Sequence, residues 1–202
     1  MERNVDMTEI SDGKRYTSND LAKLGCGDCA GCSKCCHGMG ESITLDPYDI
    51  YNLTINLKMT FNELLAESLG LSVKDMIILP HLNLKAEGEG CLFLDENGRC
   101  SIHSFRPGIC RLFPLGRIYE NESFSYFLQI NECVKQNRTK VKIKKWLGIP
   151  NLAAYENYIN TWHYFLKNMK AFLEEQDNEE MSKKINVYIL KIFFEEPYNN
   201  ED

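Results

Sequence analysis

Cysteine dominates the chemistry that this sequence could support, and its spacing is the first clue to that chemistry. Cys26, Cys29, Cys32 and Cys35 recur at every third position, and Cys36 follows directly. Two residues between cysteines let the chain turn so that both sulfurs face one metal centre while backbone N–H groups point at the thiolates. A repeated C-x-x-C unit is typical of the run that delivers three ligands to a [4Fe–4S] cluster, whose fourth ligand comes from elsewhere.

The remaining cysteines stand alone along the chain and bear on the choice of metal. They are Cys91, Cys100, Cys110 and Cys133. A structural zinc site with four cysteine ligands usually takes two separate C-x-x-C pairs, so one dense run with single distal cysteines favours an iron–sulfur cluster over zinc. Zinc stays the alternative. The adjacent Cys35 and Cys36 cannot easily both bind one ion, which leaves one of them for a second metal or for a position that opens during chemistry.

A disulfide framework is a poor explanation of these cysteines. Their number, nine, is odd, and the polar N-terminus has no apolar segment of the secretory type. The sequence also lacks the ~18 consecutive apolar residues of a membrane span. We therefore expect a cytoplasmic protein with no membrane partner, in a compartment that keeps thiols reduced.

The charge of the chain bears on its partners. A net charge of -6 argues against nucleic acid, because nucleic-acid binders usually carry a basic domain. One basic run extends from Lys135 to Lys145 and is typical of a solvated helix face near a loop. The partner is therefore left open as a small molecule or another protein.

Two arginines and two histidines lie near these cysteines in the sequence. Arg106 and Arg111 flank Cys110, where guanidinium groups could offset the negative charge of several thiolates and donate hydrogen bonds to sulfur. We assign both to cofactor binding, with a clamp for an anionic substrate and a surface ion pair as the alternatives. His37 and His103 are weaker candidates, because a lone histidine is more often a hydrogen-bonded structural residue than a ligand.

The segments around the cysteines predict short helices first. Asp46 is placed to cap a helix that begins at Pro47. Thr60 and Glu63 have the spacing of a capping box for a second helix, and Gly70 is placed to end it.

Two hairpins are predicted in the middle of the chain. Asn97-Gly98 supplies a tight turn between Cys91–Leu94 and Arg99–Ile102. Gly116–Tyr119 is expected to pair with Phe124–Ile130, because both segments are rich in aromatic and aliphatic residues.

Helices are predicted for most of the C-terminal third. One covers residues 139–147, a long one with an aromatic stripe follows Asn151, and a last one opens at Ser182. A short helical turn is also expected near the N-terminus, at residues 21–24.

The predicted fold class is α+β. A small metal-organised domain, with short β-hairpins and irregular cysteine-rich loops, is followed by C-terminal helices. The predicted division is a polar tail at residues 1–24, a cysteine-cluster metal-binding domain at 25–135 and a helical region at 136–202 packed on it.

The cysteine pattern also resembles a known family. The motif from Cys29 to Cys36, together with GCLFLDENGRCSIHSFRPGICRLFP, is similar to the CxxCxxCC cysteine-cluster family (YkgJ-type), described as zinc- or iron-chelating. The resemblance covers about residues 26–135, and Cys133 matches a later cysteine usual in the family, whereas Cys26 is extra. It implies the ligand set Cys29, Cys32, Cys35, Cys36, Cys91, Cys100, Cys110 and Cys133.

Three functions are compatible with this sequence. The first is an iron–sulfur protein whose centre does redox or group-transfer chemistry, and the second is a zinc-stapled structural or partner-docking module. The third is a metal chelator or delivery protein. A flagellin lysine methylase contains a similar cysteine cluster, which raises methyl transfer as an activity, but no glycine-rich methyl-donor loop follows a strand here.

Overall fold

Helices and short paired strands alternate along the computed structural model, which describes residues 6–27, 32–85, 90–135, 137–196 and 198. The helices are α1 (Met7–Ile10), α2 (Pro47–Leu57), α3 (Phe61–Glu67), α4 (Gly108–Leu112), α5 (Ile143–Leu147), α6 (Leu152–Gln176) and α7 (Glu179–Leu190). The strands are β1 (Leu21–Gly25), β2 (Leu69–Lys74), β3 (Ile77–Leu82), β4 (Leu115–Glu120), β5 (Ser123–Leu128) and β6 (Thr139–Lys142). This mixture confirms the predicted α+β class. Along the described chain, no helix combines the length and the apolar character needed to cross a membrane.

The strands pair, within the described residues, as three antiparallel two-stranded sheets. β2 and β3 form one hairpin, and β4 and β5 form the second predicted hairpin. At its tip Asn121 and Glu122 have φ of 51° and 58°, and positive φ at both central residues is the requirement of a type I′ turn. β1 pairs instead with β6, which lies beyond the predicted metal-binding segment.

β1 replaces the helical turn predicted for residues 21–24, and that prediction is wrong. Ala22 and Leu24 are 2% and 0% exposed, whereas Leu21 and Lys23 are exposed. Alternating burial is the pattern of a strand with one face on a core. The partner strand that makes this segment extended is too distant in sequence to be found from local pattern.

The described part of the predicted N-terminal tail, residues 6–24, is hydrogen-bonded to the rest of the chain. Isolated bridges join Ser11 to Gln129 and Tyr16 to Tyr126. β1 and the two bridges attach these residues to β5, to the residue that follows it and to β6.

The helix cap predicted at Asp46 and the capping box predicted at Thr60 are both present, and the structure shows that the Asp46 cap is also a capping box. Asp46 Oδ1 accepts the Asp49 N–H at 2.9 Å, and Asp49 Oδ2 accepts the Asp46 N–H at 3.2 Å. Thr60 and Glu63 make the same reciprocal pair at the start of α3. Gly70 does not end α3 as predicted but lies in β2.

The C-terminal third is only partly as predicted. Residues 139–147 divide into β6 and α5, so the single predicted helix is wrong over its first half. α5 ends at Gly148, whose φ is 60°, as a helix-terminating glycine should. α7 begins before Ser182, because the Asn178 side chain accepts the Met181 N–H at 3.0 Å and caps the helix earlier.

Two groups of buried side chains hold these elements together, and α4 contributes to both. The larger group, which includes Leu53 and Ile77, packs α2, α3, the β2–β3 hairpin, α6 and α7. The smaller group includes Leu24 of β1 and packs the β4–β5 hairpin and α5. Leu112 of α4 belongs to the smaller group, while Cys110 of the same helix packs against the larger one. The position of Cys110 therefore depends on both cores.

The inward face of β1 can be tested directly. Leu24→Ala removes a fully buried side chain and should lower the free energy of unfolding by about 2–5 kcal/mol. Leu21→Ala is the matched control in the same strand, because Leu21 is 53% exposed, and its effect should stay within about 1 kcal/mol. Urea unfolding followed by circular dichroism measures both, and equal effects would contradict the assigned strand face.

Candidate metal centre

The early cysteine loop reaches the later cysteines through a backbone hydrogen bond. Cys35 and Cys36 lie in a 3-10 turn, Lys34–Cys36. The Cys36 carbonyl accepts the Cys91 N–H at 2.8 Å. Cysteines that are distant in sequence are thus neighbours, and none of the described cysteines forms a disulfide.

Cys91 and Cys100 lie in a compact loop where the first hairpin was predicted. The predicted turn is present, with Gly98 at φ 69°, and the Asp95 N–H donates to the Arg99 carbonyl at 2.8 Å. The flanking strands are reduced to isolated bridges, one of which joins Leu94 to Cys100. The loop therefore follows the sequence prediction in its turn but not in its strands.

Backbone N–H groups point at both of these sulfurs. The Phe93 N–H donates to Cys91 Sγ, and the Ile102 N–H donates to Cys100 Sγ. Burial raises the pKa of both thiols, and the hydrogen bonds oppose that shift because they favour the thiolate. In both cases the donor lies two residues after the cysteine, where it can stabilise and orient a thiolate ligand.

Cys110 is positioned by residues outside the cysteine segments. The Gly108 N–H, in the first turn of α4, donates to Asp49 Oδ1 at 2.7 Å. A Cβ on Gly108 would lie 2.1 Å from the Tyr155 hydroxyl oxygen, so α6 closes the other side. Burial raises the pKa of the Cys110 thiol, and the negative charges of Asp49 and of other thiols raise it further.

Five described thiols therefore form one group, called the thiol cluster below: Cys35, Cys36, Cys91, Cys100 and Cys110. The hydrogen bond from Cys36 lowers the pKa of Cys35 to about 6. The same hydrogen bond, then burial, then the charges of Cys35, Cys100 and Cys110 raise the pKa of Cys36. These sulfurs interact electrostatically, so they cannot all ionise together unless a cation compensates their charge.

Arg106 lies beside the thiol cluster, where the sequence predicts a compensating charge. Its guanidinium helps to lower the pKa of Cys35 and acts in the same direction on Cys100. Its Nη1 lies 2.5 Å from His103 Nε2 and donates to the His103 carbonyl at 3.1 Å. His103 is thus a neighbour that orients Arg106.

Arg111 and His37 have different surroundings. Arg111 donates through Nε to the Arg106 carbonyl at 3.1 Å and through Nη2 to the Ser104 carbonyl. It therefore braces the backbone of the loop that carries Arg106. His37 Nε2 lies 3.3 Å from Ser33 Oγ, at the end of the 3-10 turn.

Three predicted ligands, and the extra cysteine Cys26, are not among the thiols of the cluster. Cys29 lies outside the described residues, and Cys32 and Cys26 are half-buried on either side of that gap. Cys133 lines a cavity with Lys23, and no contact described for the thiol cluster involves it. Counted over the described residues, no three or more cysteine, histidine, aspartate or glutamate side chains are arranged to hold a metal ion, so the thiols of the cluster interact with one another but do not have the geometry of a metal site in this structure.

A buried polar network behind Cys110 was not found by sequence reasoning, which named Asp46 only as a helix cap. Burial raises the pKa of the Asp46 and Asp49 carboxyls, and the charge of Arg117 opposes that shift at both. Arg117 Nη2 donates to the Tyr155 hydroxyl at 3.4 Å. The one sequence signal was the second acid of the capping box, whose other carboxylate oxygen reaches Gly108.

Residues 28–144 match the model of the CxxCxxCC family, whose description reads "putative zinc- or iron-chelating domain". The chain belongs to this family. The match confirms the resemblance predicted from the cysteine pattern, and it includes the whole thiol cluster as well as Cys133. No solved structure matches the chain. In this CxxCxxCC domain, Cys35 and Cys36 at the end of the motif thus lie beside Cys91, Cys100 and Cys110.

The contact between Asp49 and Gly108 should matter to this CxxCxxCC domain. Asp49→Ala leaves the Gly108 N–H without its acceptor, so we expect a loss of about 1–3 kcal/mol in the free energy of unfolding and less bound metal per chain. Asn56→Ala, on the exposed side of α2, is the control and should stay within about 0.5 kcal/mol. Denaturant unfolding and elemental analysis provide the two readouts. Unchanged stability and metal content in Asp49→Ala would show that the contact does not position Cys110.

Proposed function

We propose that this chain binds metal at the thiol cluster and that the bound centre is an iron–sulfur cluster, most simply [4Fe–4S]. The observation that carries the proposal is the mutual electrostatic effect of thiols drawn from three separate segments. Thiolates are the soft ligands that iron–sulfur clusters and zinc prefer. The description of the family, zinc- or iron-chelating, supports metal binding and leaves the metal open.

The surroundings of the sulfurs fit a thiolate–metal centre. Without a cation, the hydrogen bond with Cys35 raises the pKa of Cys36, burial raises the pKa of Cys110, and repulsion from other thiols adds to both shifts, so the protonated thiols are favoured. A bound metal replaces those protons, because a coordinating thiol is deprotonated outright. The N–H donors at Cys91 and Cys100 and the nearby charge of Arg106 are suited to the negative charge that several thiolates leave.

The spacing of the cysteines supports iron–sulfur over zinc. A structural zinc site with four cysteine ligands usually takes two C-x-x-C pairs, whereas this chain has one dense run and single distal cysteines. Five described thiols form the cluster, one more than either a zinc ion or a [4Fe–4S] cluster takes, so the fifth suits a position that opens during chemistry. When bound, an iron–sulfur cluster supplies one-electron redox chemistry, and redox or group transfer at that centre is the hypothesis for activity.

Anaerobic elemental analysis tests the identity of the metal. A brown protein that absorbs near ~400 nm and contains iron and acid-labile sulfide is the expected result. A colourless protein with stoichiometric zinc would overturn the iron–sulfur proposal in favour of a zinc-stapled module or a zinc chelator. Purified protein with neither metal, which also fails to take up either on anaerobic reconstitution, would overturn metal binding itself.

Serine substitutions test the ligand assignment. Cys91→Ser and Cys110→Ser should each lower bound metal and soluble yield together, because metal binding and folding are coupled. Cys26→Ser is the control, since Cys26 is outside the family motif. The assignment is wrong if Cys26→Ser removes as much metal as Cys110→Ser. Cys29, Cys32 and Cys133 stay predicted ligands, and the same measurement decides each of them.

Arg106 and Arg111 can be separated by a redox readout. Arg106→Gln removes a positive charge next to thiolates without removing a ligand, so the reduction potential of the centre should become more negative at unchanged metal content. Arg111→Gln removes hydrogen bonds to the Ser104 and Arg106 carbonyls and should lower the stability more than it shifts the potential. A potentiometric titration of both variants checks this, and a larger shift in Arg111→Gln would reverse the two roles.

A further inference from the structure

A cavity of about 490 Å³ lies at the β1–β6 ribbon, and the proposed metal chemistry does not account for it. Lys23 of β1 lines one side, and Lys135 and Arg138, from the segment that leads into β6, line another. Asn131 and Asn137 add amide groups to the wall. No carboxylate is among the described residues that line it.

This concentration of positive charge stands out in a chain whose net charge is -6. Lys23 faces Lys140 directly across the β1–β6 ladder, and Leu21 faces Lys142. Like charges in opposite positions of an antiparallel pair destabilise it. An anion bound at this face would offset that repulsion.

Arg138 gives the cavity a specific donor. Its Nη1 is buried and has no hydrogen-bond partner among the described residues. A buried polar atom without a partner costs stability, and the planar fork of arginine matches phosphate oxygens in geometry and charge. The side chain is therefore placed to receive an oxyanion.

We propose that this cavity is a binding site for a small molecule that carries a diphosphate or longer phosphate group. Three cations suit several negative charges better than one, and the volume lies within the range of about 300–1,000 Å³ that is usual for small-molecule sites. The cations line a concave wall, which favours a compact ligand over an extended polyanion. The thiol cluster does not line this cavity, although Cys133, a predicted metal ligand, does, so the proposal rests on the cationic side chains alone.

Calorimetric titration of the metal-containing protein with inorganic pyrophosphate tests the site. Arg138→Gln and Lys23→Gln should each weaken binding by about tenfold or more, because each removes a charge-assisted contact. Lys183→Gln is the control, since Lys183 is exposed and pairs with Glu179 on α7, and its affinity should equal that of the unchanged protein. Metal content is measured before and after titration, because pyrophosphate can also extract metal.

Three results would overturn the proposal. The first is no binding by the unchanged protein, and the second is equal binding by Lys23→Gln and the unchanged protein, which would locate pyrophosphate elsewhere. The third is tighter binding of a single-stranded oligonucleotide, with an affinity that rises with its length, which would make this a nucleic-acid surface. Lys23 is exposed, so Lys23→Gln decides the matter even if Arg138→Gln fails to fold.

Discussion

The thiols of the cluster lie close enough for the charge on one to change the pKa of the next, and this repulsion constrains the structure around them. Sulfurs that repel one another when ionised do not gather by their own attraction, so the backbone must hold them together. The Cys36 carbonyl holds Cys91 through a single hydrogen bond. Asp49 holds the start of α4, and with it Cys110, through the hydrogen bond from Gly108. A cation would convert the same repulsion into attraction, which is why metal binding and folding should be coupled here.

The buried charges behind Cys110 show how the helices contribute to the cluster. One carboxylate oxygen of Asp49 accepts the Asp46 N–H in the capping box of α2, and the other accepts the Gly108 N–H. Burial opposes the charged forms of Asp46, Asp49 and Arg117, and the charge of Asp46 further opposes the Asp49 carboxylate. Backbone N–H donors and Arg117 favour the two carboxylates, and the surrounding tyrosines, Tyr155 first, favour the charged form of Arg117. Removing one member of such a group costs more than the contact itself, because the remaining charge is left buried and unpaired. The network thereby fixes how α2, α4 and α6 meet.

Sequence reasoning succeeded where the determining interactions are local. The helix cap at Asp46, the capping box at Thr60 and the β4–β5 hairpin depend on residues a few positions apart, and all three are present. It failed at residues 21–24 and 139–142, which become strands only because they pair with each other. The same holds for the candidate site. The cysteines can be recognised from their residue type and spacing, whereas the roles of Asp49, Arg117 and Tyr155 depend on tertiary packing.

The two candidate sites of this chain differ in how well the sequence predicts them. Cysteine is a rare residue, and the spacing of the cysteines alone indicates metal binding. The family match covers the cysteine motif and the distal cysteines. The basic cavity is built from lysine, arginine and asparagine, which are common surface residues, and its shape exists only after β1 pairs with β6. Cys133 is relevant to both sites. Its position in the family pattern predicts a metal ligand, whereas its described surroundings are the cationic residues of the cavity. Its place in the family pattern does not by itself make Cys133 a ligand, because its described neighbours are the lysines and the arginine of the cavity and not the thiol cluster.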